Sequence, residues 1–297
     1  MKSKLEMNRS KEYLSLDREL AVATQLAREA GAILIAHYHS PFLVEQKVNA
    51  LKEIEEVTAA DREANDLIVR RLAAEFPNDG ILAEESADTE RRLEKNRVWM
   101  IDPMDGTKNF IQRDGDFAVQ IGLAIDGESV AGVVYQPVRD VLYRAARVSG
   151  SWIETKNTGA ARMSVSNLII PGEMVLASSR SHRSPRMERV VKAFGFKDEV
   201  RRGSVGVKIG LITERKADLY MHLSPSTKQW DTCAPEIILV EAGGRLTDLF
   251  GEPLRYNGAR IDNRNGIVAT NGAAHEMVIE NLQPLLKEFG RVPVSSA

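Results

Sequence analysis

A single cysteine, Cys233, stands among 297 residues. A lone thiol cannot close an internal disulfide or assemble a thiolate metal cluster, which fits a reducing compartment. Neither sign of charge is in excess. With 40 basic side chains against 42 acidic ones, a formal net charge of -2, nothing points to a nucleic acid polymer as a polyelectrolyte partner. No run of about 18 apolar residues is there to span a membrane, and the opening MKSKLEMNRSKEYLSLDREL has no continuous apolar stretch of the kind a signal peptide needs. Internal repeats, low-complexity tracts and flexible linkers are missing too. The expectation is a cytoplasmic protein without a membrane partner. What is present is ordinary globular composition, 43% hydrophobic and 28% charged. At roughly 100 to 200 residues per domain, the chain has room for two domains or one large one.

The spacing of Leu20, Ala23, Leu26, Ala27, Ala30, Ile33 and Leu34 predicts a long helix ending near His39, before Pro41. Thr58 with Asp61 three residues on is an N-cap pairing. It opens a second helix through Ala64, Leu67, Ile68 and Leu72 to Phe76, stopped by Pro77 and Gly80. Strands are expected at 81–83, 98–102, 117–125 and 130–135, the last two joined by the Asp126-Gly127 hairpin signal, with two more at 141–145 and 151–154. The first half, 1–155, reads as two helices against an antiparallel sheet.

From 156 to 297 the pattern alternates. Strand 174–178, helix 184–194, a strand near Val200, helix 207–215 and strand 219–223 follow one another. Helix 232–241 is stopped by Gly243 and Gly244, and strands 245–248 and 266–270 precede a terminal helix at 273–289. The fold class is therefore α+β in the first half and α/β in the second, with a cleft between the halves as the default ligand site.

Glu84 (with Glu85), Asp102, Asp105 and Asp231 each fall at the end of an expected strand or the start of an expected helix, where side chains converge. In Asp102-Pro103-Met104-Asp105-Gly106-Thr107 the strand delivers Asp102, Pro103 fixes the turn, and Asp105 returns on the same side. The turn also presents the Met104 carbonyl. Hard divalent cations want such oxygen ligands, and carboxylates crowded together repel unless a cation neutralises them. Gly106 and the free N–H groups that open Thr107 to Ile111 suit a phosphate beside the metal. For Asp-Gly alone an ordinary turn is the better reading, and the other acids tip the balance to a site. Asp61 reads evenly as a helix-dipole acid or as the partner of Thr107 in orienting a water.

In Trp230-Asp231-Thr232-Cys233-Ala234-Pro235, Asp231 falls at or next to a helix N-cap, and Cys233, with no histidine partner in view, reads as packing. Trp230 reads as core or cleft wall. Two polar turns, Ser178-Ser179-Arg180-Ser181-His182 and Gly203-Ser204-Val205-Gly206-Val207-Lys208, enter helices. They could hold a second anion with Arg180 and Lys208 as charge partners, although ordinary capping is the stronger reading of the residues alone.

Taken in order, these segments are familiar. Ala83-Glu84-Glu85-Ser86, the run from Trp99 to Phe110 around Asp102-Pro103-Met104-Asp105-Gly106-Thr107, and Trp230 to Pro235 with Glu241-Ala242-Gly243-Gly244 resemble the signatures of the Mg2+-dependent, lithium-sensitive phosphatases. That superfamily includes inositol monophosphatases and 3'(2'),5'-bisphosphate nucleotidases. The resemblance runs from the first helix to Thr270. It implies a layered α-β-α-β-α sugar-phosphatase fold and two or three Mg2+ ions. Glu84, Asp102 and the Met104 carbonyl would bind the first, while Asp102, Asp105 and Asp231 share the second; Thr107 and Asp61 would activate the attacking water.

Ser179-Arg180-Ser181-His182 and the Gly203 to Lys208 turn are similar to segments of the bisphosphate nucleotidases, so Ser181, His182, Ser204 and Lys208 are implied to hold a second phosphate. Inositol monophosphatases carry an acid where this chain has His222. The expected substrate is adenosine 3',5'-bisphosphate, together with its sulfated relative 3'-phosphoadenylyl sulfate, and a homodimer is compatible with the resemblance. The rival readings are an inositol-1-monophosphatase or broad sugar phosphatase, and a non-catalytic nucleotide- or metal-binding protein. Fructose 1,6-bisphosphate and NADP stay open as substrates.

Overall fold

The computed structural model describes residues 16–48, 54–180 and 184–294. Helix α1 (Asp17–Tyr38) forms where the apolar stripe lies, with Leu20, Ala23, Leu26, Ala27, Ala30 and Leu34 all buried. Each fully buried leucine contributes about 1.5–3 kcal/mol. Helix α2 (Ala59–Glu75) starts at the expected cap: the Thr58 side chain accepts from Ala60 N and Asp61 accepts the Thr58 N–H. Between them lies a hairpin that sequence patterning does not announce, β1 (Val44–Val48) against β2 (Ile54–Thr58). Val44-Glu45-Gln46-Lys47-Val48 shows no sustained alternation by which to recognise a strand.

β3 (Gly80–Ala83), β4 (Arg97–Asp105), β5 (Ala118–Ile125), β6 (Glu128–Gln136), β7 (Val141–Ala146), β8 (Gly150–Thr155) and β9 (Gly159–Arg162) form one sheet in that order. The neighbours are antiparallel except β3 and β4, which are parallel. This departs from the expected all-antiparallel sheet. A parallel pair needs a crossover, and the connection containing the short turn Arg91–Glu94 provides it. β9 is exposed along its whole length, so no apolar pattern marks it.

A second sheet holds β10 (Val175–Ser179), β11 (Asp198–Arg202), β12 (Leu219–His222), β13 (Arg245–Thr247) and β14 (Ile267–Thr270), in the order β11-β10-β12-β14-β13. β10 runs parallel to both β11 and β12, while β14 is antiparallel to its neighbours. The remaining helices are α3 (Thr107–Ile111), α4 (Pro185–Phe194), α5 (Val205–Thr213), α6 (Gln229–Glu241) and α7 (His275–Glu288).

The layers follow from which faces are apolar. Trp99, Ile101, Ile121, Leu123 and Val133 turn one face of the first sheet onto α1 and α2. Val134, Tyr143 and Ala145 turn the other face onto α5 and α6, whose far sides meet Ala177, Tyr220 and Ala269 of the second sheet. The outer face of that sheet, with Leu176, Leu219, Met221 and Val268, is covered by Met187 and Val190 of α4 and by Val278 and Leu282 of α7. The result is an α-β-α-β-α stack.

α6 could not lie as close as it does without two glycines. Gly122 and Gly132 pair across β5 and β6, and a Cβ on either would stand 2.6–2.7 Å from backbone atoms of Ala234.

Candidate active site

The ladder between β4 and β5 pairs Asp102 with Gln120 and then slips before Asp105 meets Ala118. Pro103 sits in that slip, where its missing N–H costs no ladder bond. Met104 N donates to Asp102 Oδ1 at 3.0 Å, closing a tight turn that aims Asp102 and Asp105 the same way. Gly106 follows at φ 105°, a left-handed conformation that glycine accepts without strain. Glu84 lies one residue beyond β3, and its N–H donates to Ile101 O at 3.1 Å, bringing it level with Asp102 on the neighbouring strand.

Asp231 arrives from the opposite side. It is neither at nor next to the N-cap, where the sequence pattern puts it, because α6 begins three residues earlier than expected, at Gln229 with Lys228 as cap. Asp231 occupies the third helical position, and its Oδ2 accepts the Lys228 N–H at 2.7 Å. Capping holds the carboxylate in place but does not exhaust it.

Ligand oxygens of Asp102, Asp105 and Asp231 lie within 4.8 Å of one another. Packed this closely and out of water, the Asp102 and Asp231 carboxyls favour sharing a proton over carrying two charges. Burial, and then the charges of Glu84, Asp105 and Asp231, hold the Asp102 carboxyl well above the usual range. Burial and Asp105 push Asp231 to about 7. A buried, self-repelling, all-oxygen donor set of this kind fits a hard divalent cation, which would take the place of the shared proton.

Beside the trio, Asp61 Oδ2 accepts both the N–H and the hydroxyl of Thr58 at 2.7 Å, while its Oδ1 accepts the Thr107 hydroxyl at 3.2 Å. Asp61 therefore caps α2 with one oxygen and faces Thr107 with the other. The Thr107 hydroxyl is also 3.3 Å from the Met104 carbonyl. Burial raises Asp61 to about 6 against the lowering effect of its Thr58 and Thr107 hydrogen bonds.

Asp105 is held from both halves of the chain. Its Oδ2 accepts from Ser204 Oγ at 2.6 Å, from Gly206 N at 3.1 Å and from Gln120 Nε2 at 2.6 Å. Motif spacing does not single out Gln120; the signal that could have found it is a lone amide in the otherwise apolar strand Ala118–Ile125. Ser204 is the N-cap of α5, which starts at Val205 and ends at Thr213, two residues earlier at each end than the sequence spacing suggests. Lys208 is 3% exposed; its Nζ donates to Gly203 O at 3.1 Å and stands 4.9 Å over the Tyr220 ring. Burial lowers it to about 8, opposed by the charge of Asp105. Ser181 and His182 lie outside the described residues. Cys233 is buried against β5, and burial pushes its thiol up, in line with a packing role. Trp230 packs with Leu82, Val98 and Met100. His222 engages Ser224 and Ser226.

The model of the inositol monophosphatase family matches residues 15–287. The chain belongs to this family. Among its relatives, the 3'(2'),5'-bisphosphate nucleotidase CysQ of Escherichia coli is 35% identical over 235 residues, covering 78% of this chain and 91% of that protein. The inositol-1-monophosphatase of Bacillus subtilis is 29% identical over 264 residues, covering 87% and 94%. The crystal structure of CysQ from Bacteroides thetaiotaomicron superposes with a TM-score of 0.72 at 29% identity, covering 87% of this chain and 99% of that one. Among the described residues no helix is long and apolar enough to cross a membrane.

Proposed function

We propose that this chain is a Mg2+-dependent phosphomonoesterase that hydrolyses the 3'-phosphate of adenosine 3',5'-bisphosphate, with 3'-phosphoadenylyl sulfate as a second substrate. The observation that carries the phosphatase chemistry is the Thr107 hydroxyl, placed between Asp61 and the Met104 carbonyl at the edge of a carboxylate trio. The nucleotide as substrate is supported by the relatives named for it, at 35% identity over most of the chain.

In this reading Glu84, Asp102 and the Met104 carbonyl hold one ion, and Asp102, Asp105 and Asp231 hold another. Bound there, Mg2+ would supply the positive charge that makes hydroxide available near neutral pH and offsets charge on the phosphoryl oxygens. Thr107, which donates its own proton to Asp61, keeps its oxygen lone pairs free to accept a proton from the attacking water. As the water's proton passes to the Thr107 oxygen, Thr107's own proton passes to Asp61, which is raised to about 6 and holds it at Oδ1. The Thr107 and Lys108 N–H groups that open α3 orient the phosphate. No group has to become phosphorylated.

The second reading, an inositol-1-monophosphatase, is favoured by the wider coverage of the Bacillus subtilis relative. Phosphate release from adenosine 3',5'-bisphosphate and from inositol 1-phosphate, measured side by side with and without Mg2+, separates the two by kcat/KM. Preference for the nucleotide is expected. Preference for inositol phosphate would keep the metal chemistry and replace the substrate, Mg2+-independent turnover would take the metal out of the chemistry, and absent turnover on both would leave a binding protein. Inhibition by lithium is expected alongside.

A further inference from the structure

Asp116 has no exposed surface, yet three arginines from three segments reach it. Arg180 Nη2, just past β10, is 2.7 Å from Oδ2. Arg139 Nη2, in the turn between β6 and β7, is 3.1 Å from Oδ1, and Arg202 Nε, at the end of β11, is 3.9 Å from the same oxygen. Arg180 also pairs with Asp114 at 2.5 Å. One guanidinium would neutralise a buried carboxylate, and further ones add desolvation and mutual repulsion unless another anion is expected there. Three guanidiniums against Asp114 and Asp116 leave a surplus positive charge. Their side chains remain 47%, 38% and 29% exposed for Arg139, Arg180 and Arg202. Arg202 Nε is itself buried without a hydrogen-bond partner among the described residues.

The cluster lies at the rim of the carboxylate site. The Asp116 carbonyl oxygen stands 2.9 Å from where a Cβ on Gly106 would be and 2.4 Å from one on Gly203. Gly106 precedes Thr107, and Gly203 precedes Ser204, the residue that binds Asp105. Gly203 N itself donates to Asp116 Oδ2 at 3.4 Å. Meanwhile the nearby polar groups of the α5 turn face inward, the Ser204 hydroxyl to Asp105 and the Lys208 ammonium to Gly203 O.

We propose that Arg139, Arg180 and Arg202, ordered in advance on Asp116, form the subsite for the second phosphate of the substrate. The proposal rests on the bisphosphate reading of the active site. Asp116 keeps the guanidiniums in place, and the phosphate meets their outward N–H groups, which match its oxygens in paired fashion.

The test compares kcat/KM for adenosine 3',5'-bisphosphate with that for adenosine 3'-monophosphate, which differs only in the second phosphate. In Arg139→Gln and Arg202→Gln the preference for the bisphosphate should fall about tenfold or more, as expected for a lost charge-assisted contact, while kcat/KM for the monophosphate stays at the parent value. Equal losses on both substrates, or an undiminished preference in both variants, would overturn the subsite alone. A parent enzyme with no preference for the second phosphate would overturn the bisphosphate reading, and the subsite with it. Should Arg202→Gln fail to fold, Arg139→Gln at the more exposed arginine reads the same preference.

Discussion

Ser204 Oγ donates to Asp105 Oδ2 at 2.6 Å across 99 residues of sequence, fastening the start of α5 to the turn that carries Asp102 and Asp105. With Gln120 Nε2 and Gly206 N on the same oxygen, Asp105 can rotate little. The geometry of the site thus depends on both halves of the chain.

Ser204→Ala removes one of those donors. Loss of an outer hydrogen bond to a ligating carboxylate typically costs about 10–100-fold in metal affinity. The Mg2+ concentration for half-maximal activity should rise by that order, with a smaller change in kcat. An unchanged Mg2+ dependence would show that Asp105 is held well enough without it.

Mg2+ binding should expel protons near pH 7. Asp102 is held well above the usual range, and Asp231 at about 7, by burial and by their acidic neighbours, so the metal-free trio retains a proton that a cation displaces. A weakly buffered titration with Mg2+ would record the acidification. Asp102→Asn should abolish turnover and reduce the release, and near-normal activity in that variant would sink the ligand assignment.

Activity should fall as the pH drops through about 6, where Asp61 becomes protonated and can no longer accept the proton of the water. The Thr107 hydrogen bond lowers Asp61, so Thr107→Val should move this acidic limb upward in pH as well as reduce kcat about 10²–10⁴-fold. A limb that stays in place would separate Asp61 from the pH profile.

Gly132→Ala would put a methyl carbon 2.6 Å from the Ala234 carbonyl oxygen. Overpacking of this kind costs about 1–3 kcal/mol. Since the pressed helix is the one that carries Asp231, a lower Tm should be accompanied by lower kcat. Full activity at a reduced Tm would mean that the strain relaxes away from the N-terminus of α6.

Glu236, half-buried on α6 with its Oε2 enclosed, has its carboxyl pushed up to about 7, mainly by loss of solvent. The native state binds this proton more tightly than the unfolded chain, so the stability it brings is present below the ordinary glutamate range and is lost as pH rises through about 7. Glu236→Gln should therefore match the parent in urea unfolding at pH 5 and exceed it at pH 8. Equal behaviour at both pH values would place the titration of Glu236 elsewhere.

Much of the site is legible in the sequence because its parts are local. The strand ending at Asp102, the proline turn, the glycine before Thr107 and the Thr58-Asp61 cap are each written within a few residues, where backbone sterics and capping act. The helices are legible for the same reason, since α1 and α2 declare their buried faces at the helical period. The β1–β2 hairpin and β9 are not, because Val44, Glu45 and Gln46 of β1 and all four residues of β9 are exposed and leave no alternation to read. Nor does the sequence show that β3 runs parallel to β4, since pairing direction is set by where the crossover returns.

The chemistry of single groups is likewise decided only by tertiary packing. Lys208 could be a solvated cation on sequence grounds, and burial against the Tyr220 ring changes both its charge balance and its partners. Gln120 from β5 and Ser204 and Gly206 from the start of α5 converge on one oxygen, and Asp116 gathers three arginines from separate segments. Residue type and spacing determined which atoms were available. Which of them meet, and how far burial and neighbouring charge then shift their protons, depended on the stacking of two sheets about α5 and α6, because electrostatic energies are set by distance and solvent exclusion rather than by order along the chain.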